Sequence, residues 1–324
     1  MAGWEEVGCL CGSDLQAGST EAADQLSRER FRYVRCGACS LERLSPRPDI
    51  DEIGRYYGDD YAPYSGSVPF GRAERIKRLV FDLYWNRDAA RPRMRLAPLL
   101  RLLLWPLRLR SVLAFEPPRI RRVFEFGAAK GTDLLEFMRA GWSVEGCDPS
   151  EQACANALKQ EITLQHATAE QAVLERDAYG AILLNNVFEH LHDPMAVLGK
   201  CHRALAGDGV LVIIVPNHAS LARAMFGAAW PGYDAPRHTW GWTPETITRV
   251  LARSGFRPQT ISQQVTGLWL WRSVLDMRHA PGRPGALRAW LARRAPHVML
   301  PVSLAGYALG RGDFMKVVAR KEAG

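Results

Sequence analysis

The stretch RRVFEFGAAKGTDLLEF, Arg121–Phe137, decides how the chain is read. RRVFEF is a short apolar run of the buried-strand kind, and GTDLLEFMRAG has the spacing of an amphipathic helix that stops at Gly141. Between them the chain must bend into a helix whose first N–H groups have no intrahelical partner. Gly127 permits the bend and a ligand's close approach, and Gly131 lets the helix begin hard against the strand. A dinucleotide fingerprint would need glycines at 127, 129 and 132, where this chain has Gly127, Ala129 and Thr132. A Walker loop is excluded as well, because Lys130 precedes a glycine instead of following one.

Outward from this bend, strands and helices alternate. SVEGCD reads as a second strand, SEQACANALKQ as a helix, ITLQ as a third strand and AYGAILLNNV as a long apolar fourth. DPMAVLGKCHRAL follows as a helix with Asp193 at the N-cap and Pro194 at the first helical position. GVLVIIVP is a fifth strand, TPETITRVLARSG a helix capped by Thr243, and RPQTISQQV and DFMKVVARK complete the sheet. Continuously apolar strands alternating with helices predict an α/β fold, a Rossmann-like doubly wound sheet that binds ligands at the carboxyl ends of its strands. Asp148 closes the second strand 21 residues beyond Gly127, where an acid accepts hydrogen bonds from two ribose hydroxyls. Nicotinamide enzymes share such an acid, so an oxidoreductase stays open on this residue alone.

Glu125, Gly127, Ala129 and Gly131 together resemble motif I of the class I S-adenosylmethionine (SAM) methyltransferases, E/D-x-G-x-G-x-G, with alanine at the middle glycine. YGAILLNNVFEHLHDPMAVL, CHRALAGDGVLVIIVPN and PRHTWGWTPETITRVLARSGF continue the likeness over about residues 121 to 265, toward the branch that includes ubiquinone-type O-methyltransferases and natural-product tailoring enzymes. The resemblance implies that Glu125 faces the methionine end of SAM and that Gly127, Ala129 and Gly131 lie against its methionine part. It further implies that Asp148 holds the ribose, Thr168–Glu170 meet the adenine edge, and Asn185 lines the methionine pocket. Asn185 also reads as a capped strand end.

Methyl transfer from a sulfonium is an in-line displacement in which the protein mainly aligns the reactants, and a hydroxyl acceptor gains from a nearby base. His190 and His192 in FEHLHD and His238 in PRHTW stand where such a base is expected, and His190 and His238 are the candidates we take forward. Glu189 and His190 also fit a purely structural cap on the following helix. Some ubiquinone-type members bind a divalent cation through E-x-x-E-H; here the first position is Asn186, so the carboxylate is missing.

The chain has 324 residues, 47% of them hydrophobic, with seven cysteines, four of which fall in the first forty residues. CGAC, Cys36 and Cys39, is a zinc-knuckle spacing. Its partner pair, Cys9 and Cys11, is one residue too close. The run resembles a zinc-ribbon-like head, CPxCG…CxxCGLxxLNPRP, in which Gly8 replaces the first cysteine and Cys9 the proline. Either the turn adapts to C-x-C or the site is reduced to three ligands. The net charge is +8, yet Arg72–Arg122 alone carries 14 Arg and Lys against 4 acids. Within it, Leu96–Phe115 is apolar but broken by Arg101, Arg108, Arg110, Pro98 and Pro106, which excludes an ordinary membrane-spanning helix. That segment reads as a helical cap, as an interfacial segment contacting a membrane or lipid-linked substrate, or as an RNA contact.

The expected organisation is a cysteine-rich module over 1–70, a basic helical linker or cap over 71–119, and a methyltransferase domain over 120–324 with a helical insertion around 266–312. The start of the chain has no apolar core of the secretory-signal kind, so a cytoplasmic protein, peripheral to the membrane at most, is expected. The expected function is SAM-dependent methylation of a small-molecule or lipid-linked acceptor, at oxygen. An RNA methyltransferase and a non-catalytic scaffold of the same fold are the alternatives.

Overall fold

The computed structural model describes residues 3–24, 27–57, 79–85, 99–102, 111–264 and 305–322. The module boundary expected near residue 70, most of the basic segment and most of the 266–312 insertion lie outside the described residues. Within those segments 79–84, 99–102 and 305–308 are helical. Chain contacts divide the protein into two compact units. One is Asp59–Asn185 with Lys200–Val212, and the other gathers Met1–Gly58, Asn186–Gly199 and Ile213–Gly324.

The N-terminal segment contributes short strands: β1 (Trp4–Glu5), β2 (Gln16–Ala23), β3 (Arg30–Cys36), β4 (Glu42–Leu44) and β5 (Arg47–Pro48). After the basic segment come β6 (Arg122–Phe126), helix α1 (Thr132–Arg139), β7 (Ser143–Asp148), α2 (Glu151–Leu158), β8 (Leu164–His166) and β9 (Tyr179–Asn185). Then follow α3 (Pro194–Ala204), β10 (Leu205–Pro216), α4 (Leu221–Phe226), β11 (Trp240–Gly241), α5 (Pro244–Arg253), β12 (Phe256–Gln264) and β13 (Phe314–Lys321). The central sheet has seven strands in the order β12-β13-β10-β9-β6-β7-β8.

In the unit holding residues 59–185, β6 pairs in parallel with β7 and with β9, and β7 in parallel with β8. The register sets Val123 opposite both Val144 and Ala181. Every residue from Tyr179 to Leu184 is buried, as a strand covered on both faces requires. Helix α1 packs Leu134 and Phe137 inward, and Phe137 meets Trp142 edge-on at 5.1 Å. Helix α2 buries Ala153 and Ala157, two residues small enough to bring it close to the sheet, and Ser150 caps it by accepting from Ala153 N–H. Reversal of the strand order after β6 places the ends of β6, β7 and β9 side by side, the crevice where this architecture binds ligands.

The other unit holds a four-stranded sheet in the order β11-β4-β3-β2. Three of these strands come from the cysteine module and the fourth, β11, from two residues nearly two hundred positions later, with Trp240 opposite Arg43 and Gly241 opposite Glu42. Phe31, Tyr33 and Leu44 from the module share one core with Trp230, Tyr233 and Ala235. Strands β12 and β13 form an antiparallel pair from Phe256–Lys321 to Gln264–Phe314. Helix α5 starts on the expected Thr243, whose side chain and that of Thr246 form a reciprocal capping box. Among the described residues, no helix is long and apolar enough to cross a membrane.

Candidate functional site

Three residues in the left-handed region follow β6 at alternate positions: Gly127 at φ 59°, Ala129 at 46° and Gly131 at 69°. The bend must be this tight because α1 begins at the next residue, and a side chain on Gly131 would press on Ile162 Cδ1 at 2.9 Å. Ala129 alone carries a Cβ in this conformation, at a cost of about 1–2 kcal/mol. The Asp148 carboxylate compensates: it accepts Ala129 N–H at 2.8 Å with one oxygen and Ser150 N–H at 2.9 Å with the other. The acid at the end of β7 therefore fastens the bend at the end of β6.

Glu125 is 4% exposed, and its Oε2 has no hydrogen-bond partner. Burial, reinforced by the charges of Asp133, Asp148 and Glu136, raises its pKa well above the usual carboxylate range, although the N–H of Leu134 in the first turn of α1 opposes the shift. Burial also raises Asp148, against the pull of its two N–H donors. Asn185, at the end of β9, donates from Nδ2 to Asp133 Oδ2 at 2.6 Å. The structure thus brings Glu125, the bend 127–131, Asp148 and Asn185 around the start of α1. Thr168 opens the neighbouring turn, exchanging hydrogen bonds with Gln171. That turn is held by a residue the sequence reading passed over: Lys200 Nζ donates to the carbonyls of Ala169, Glu170 and Ala172 at 2.9, 2.8 and 2.6 Å. Nothing in the sequence of α3, which also carries His202 and Arg203, sets this lysine apart.

In the other unit, Glu189, His190 and His238 bring donor atoms within 4.8 Å of one another. The histidine rings meet edge-on at 4.6 Å. His238 holds Gly232 O at 2.8 Å through Nδ1, while its Nε2 lies 3.8 Å from Glu189 and 3.9 Å from Asp234. Glu189 is 1% exposed and neither of its carboxylate oxygens has a hydrogen-bond partner. Burial pushes Glu189 up to about 8 and His190 down to about 3, the latter aided by the neighbouring His238, which is itself lowered by burial. Both imidazoles are therefore neutral at pH 7, His190 far more firmly than an unperturbed histidine. His192 turns elsewhere, toward the Pro48 carbonyl at 3.2 Å.

All four N-terminal cysteines converge in spite of the short Cys9–Cys11 spacing. Sγ separations are 3.4 Å for Cys9–Cys39 and Cys9–Cys11, and 3.7 Å for Cys11–Cys36. A tetrahedron with zinc–sulfur bonds of about 2.3 Å has edges of about 3.8 Å, so the donor set is of the right size. Burial alone would raise the Cys36 thiol, but the N–H groups of Cys39 and Ala38 overcome it and lower the thiol to about 6.

The raised Glu125 has a measurable consequence. An acid whose folded pKa exceeds its unfolded value of about 4.3 keeps in the folded state a proton that the unfolded chain has released, so stability falls as pH climbs from that value toward the folded one. Glu125→Gln removes this loss: the variant should melt above the wild type at pH 8, and the gap should close as pH falls to 4, both read by differential scanning calorimetry without ligand. A variant melting below the wild type at pH 8 would show that the carboxylate is stabilised by its surroundings.

Comparison with known proteins agrees with this geometry. A family model described as a methyltransferase domain matches residues 88–261. The ubiquinone biosynthesis O-methyltransferase of Dinoroseobacter shibae is 30% identical over 149 residues, 42% of this chain and 60% of its own length. Its counterpart from Rhodopseudomonas palustris is 31% identical over 144 residues, 41% of this chain and 57% of its own. The chain thus spans less than two thirds of the length of these curated relatives. A SAM-dependent methyltransferase from Thermotoga maritima, described as a possible histamine N-methyltransferase, superposes with a TM-score of 0.47 at 15% identity, covering 75% of this chain and 99% of the other. With a family match over more than half its length and the strand order and bend described above, the chain belongs to the methyltransferase domain family, in its class I, SAM-dependent form.

Proposed function

We propose that this protein transfers a methyl group from SAM to an oxygen of a small acceptor, the donor being held by Glu125, Gly127, Ala129, Gly131, Asp148, Thr168 and Asn185. The observation that carries the reading is the buried, half-unpartnered Glu125 among further carboxylates at the foot of α1. Such a charge excess is costly without a cation, and SAM brings two positive centres, an ammonium and a sulfonium. Asp148 has the position of a ribose ligand, its oxygens then accepting from the incoming hydroxyls as well as from Ala129 and Ser150 N–H. Bound SAM supplies a methyl group already activated by its sulfonium. The chain's own residues orient it and take up the acceptor's proton.

For that proton the Glu189–His190–His238 group supports the reading best. Both imidazoles are neutral and keep a nitrogen lone pair with which to accept, whereas Glu189, pushed up to about 8, already holds its own proton at pH 7. We place His190 and His238 as the groups nearest the acceptor. The printed name of the matched relatives, ubiquinone biosynthesis O-methyltransferase, supports oxygen as the methylated atom and a small-molecule or lipid-linked acceptor. The net excess of ten positive charges over Arg72–Arg122 fits delivery of such an acceptor from an anionic membrane. Co-sedimentation with anionic but not neutral vesicles is the expected result, and equal recovery from both would remove membrane delivery from the reading.

Calorimetry with SAM, S-adenosylhomocysteine and NADH tests the donor, with the two sulfur compounds expected to bind and NADH not. Tighter binding of NADH would overturn the assignment. His190→Ala and His238→Ala should each lower radiolabelled methyl transfer into fractionated cell extract, the true base by about a hundredfold, with S-adenosylhomocysteine affinity retained. Full turnover in both variants would reject them as bases.

We also assign the four cysteines to one structural zinc, which their convergence supports. Metal analysis should give one zinc per chain, and Cys36→Ser should release it and lower the melting temperature. Well under one zinc per chain in freshly purified protein would leave the module held by packing alone.

A further inference from the structure

The cysteine module carries more than its cysteines. Tyr57, which follows the module's short turn of 3-10 helix Ile53–Tyr56, sets its hydroxyl 2.9 Å from His190 Nδ1. The same nitrogen lies 3.1 Å from the Arg237 carbonyl oxygen. A carbonyl can only accept, so this network assigns the ring proton to Nδ1, donating to Arg237 O and to the Tyr57 oxygen together. Nε2 then carries the lone pair. Two acceptors on one side of the ring fix both its tautomer and its rotation, the part that an orienting carboxylate plays behind a catalytic histidine elsewhere.

The neighbourhood of Tyr57 is itself tied to the histidine segment by several independent contacts. Arg237 donates to the Tyr56 carbonyl at 3.0 Å and to Asp24 at 3.0 Å. Tyr33 donates to the His238 carbonyl at 2.7 Å. Arg47 donates to the carbonyl of His192 at 3.1 Å. Each histidine of the pair is thus held through the module: His190 by its side chain, His238 by its backbone.

From this geometry we infer that Tyr57 is a positioning residue, supplied by the cysteine module, that holds His190 with its proton on Nδ1 and its lone pair on Nε2. The inference deepens the proposed role of His190 as a base and rests on it for its catalytic meaning, though not for its structural one.

Long-range proton–nitrogen correlation spectra of the imidazoles test it without any acceptor, with His190 assigned by the signal lost in His190→Gln. In the wild type the His190 pattern should be that of the Nδ1–H tautomer. Tyr57→Phe should shift it toward a mixture, while Tyr56→Phe, whose hydroxyl serves Glu29 at 3.1 Å, should leave it in place. S-adenosylhomocysteine affinity by calorimetry should be the same in all three, which also certifies the fold. Radiolabelled methyl transfer into extract should fall by about two- to tenfold in Tyr57→Phe only, the worth of one hydrogen bond. Unmoved His190 signals in Tyr57→Phe, or the same movement in Tyr56→Phe, would overturn the inference. A moved tautomer with undiminished methyl transfer would uphold Tyr57 as the residue that positions the ring and would instead remove His190 from the chemistry.

Discussion

A carboxylate without its full complement of partners, sealed behind the first turn of α1, is the constraint on which the proposed donor site depends. Glu125 sits in a buried strand, faces the fields of three further acids, and receives one backbone N–H in return. Nothing in the fold requires an acid there, since a leucine or glutamine would occupy the strand position at lower cost. On the proposed reading, function is placed above stability at that point. The bend from Gly127 to Gly131 obeys the same logic. It keeps an alanine in a conformation that favours glycine and secures it with the acid that ends the next strand.

Much of this was legible before any coordinates. Parallel strands buried on both faces leave uninterrupted apolar runs, which is why ILLNNV and GVLVIIVP could be placed and why the caps at Asp193 and Thr243 marked helix starts. The small residues marked the bend because its left-handed backbone demands them, while the two acids at fixed spacing entered through the family resemblance. Other features leave no periodic trace. Strand β11 is two residues long and is defined only by its partner across the sheet. Lys200 shows as an exposed helical lysine until its three carbonyl partners are seen. No pattern in the sequence ties Tyr57 to a ring 133 positions away. The C-x-C spacing left a four-sulfur and a three-sulfur set both open, and the fold brings all four together, Cys9 reaching Cys39.

The histidines illustrate how a residue type can be found and its chemistry still differ from the free side chain. His190 and His238 do come together, as their proposed shared role needs, but in an environment dry enough to hold both neutral and to raise the carboxylate beside them. Proton affinity in such a group belongs to the set, and the carboxylate takes the larger share.

The sharing of a sheet between β4 and β11 has a consequence for how this architecture can change over generations. A front piece that met the rest at a flat, wet seam could be lost or traded between genes as an independent cassette. Here Phe31, Tyr33 and Leu44 complete a core whose other half is Trp230, Tyr233 and Ala235. Removing the front piece would strand those aromatics and bare an unpaired strand edge, an invitation to clumping. Descendants of this chain are therefore free to vary the cysteine-bearing tips, but they inherit or lose the two ends together.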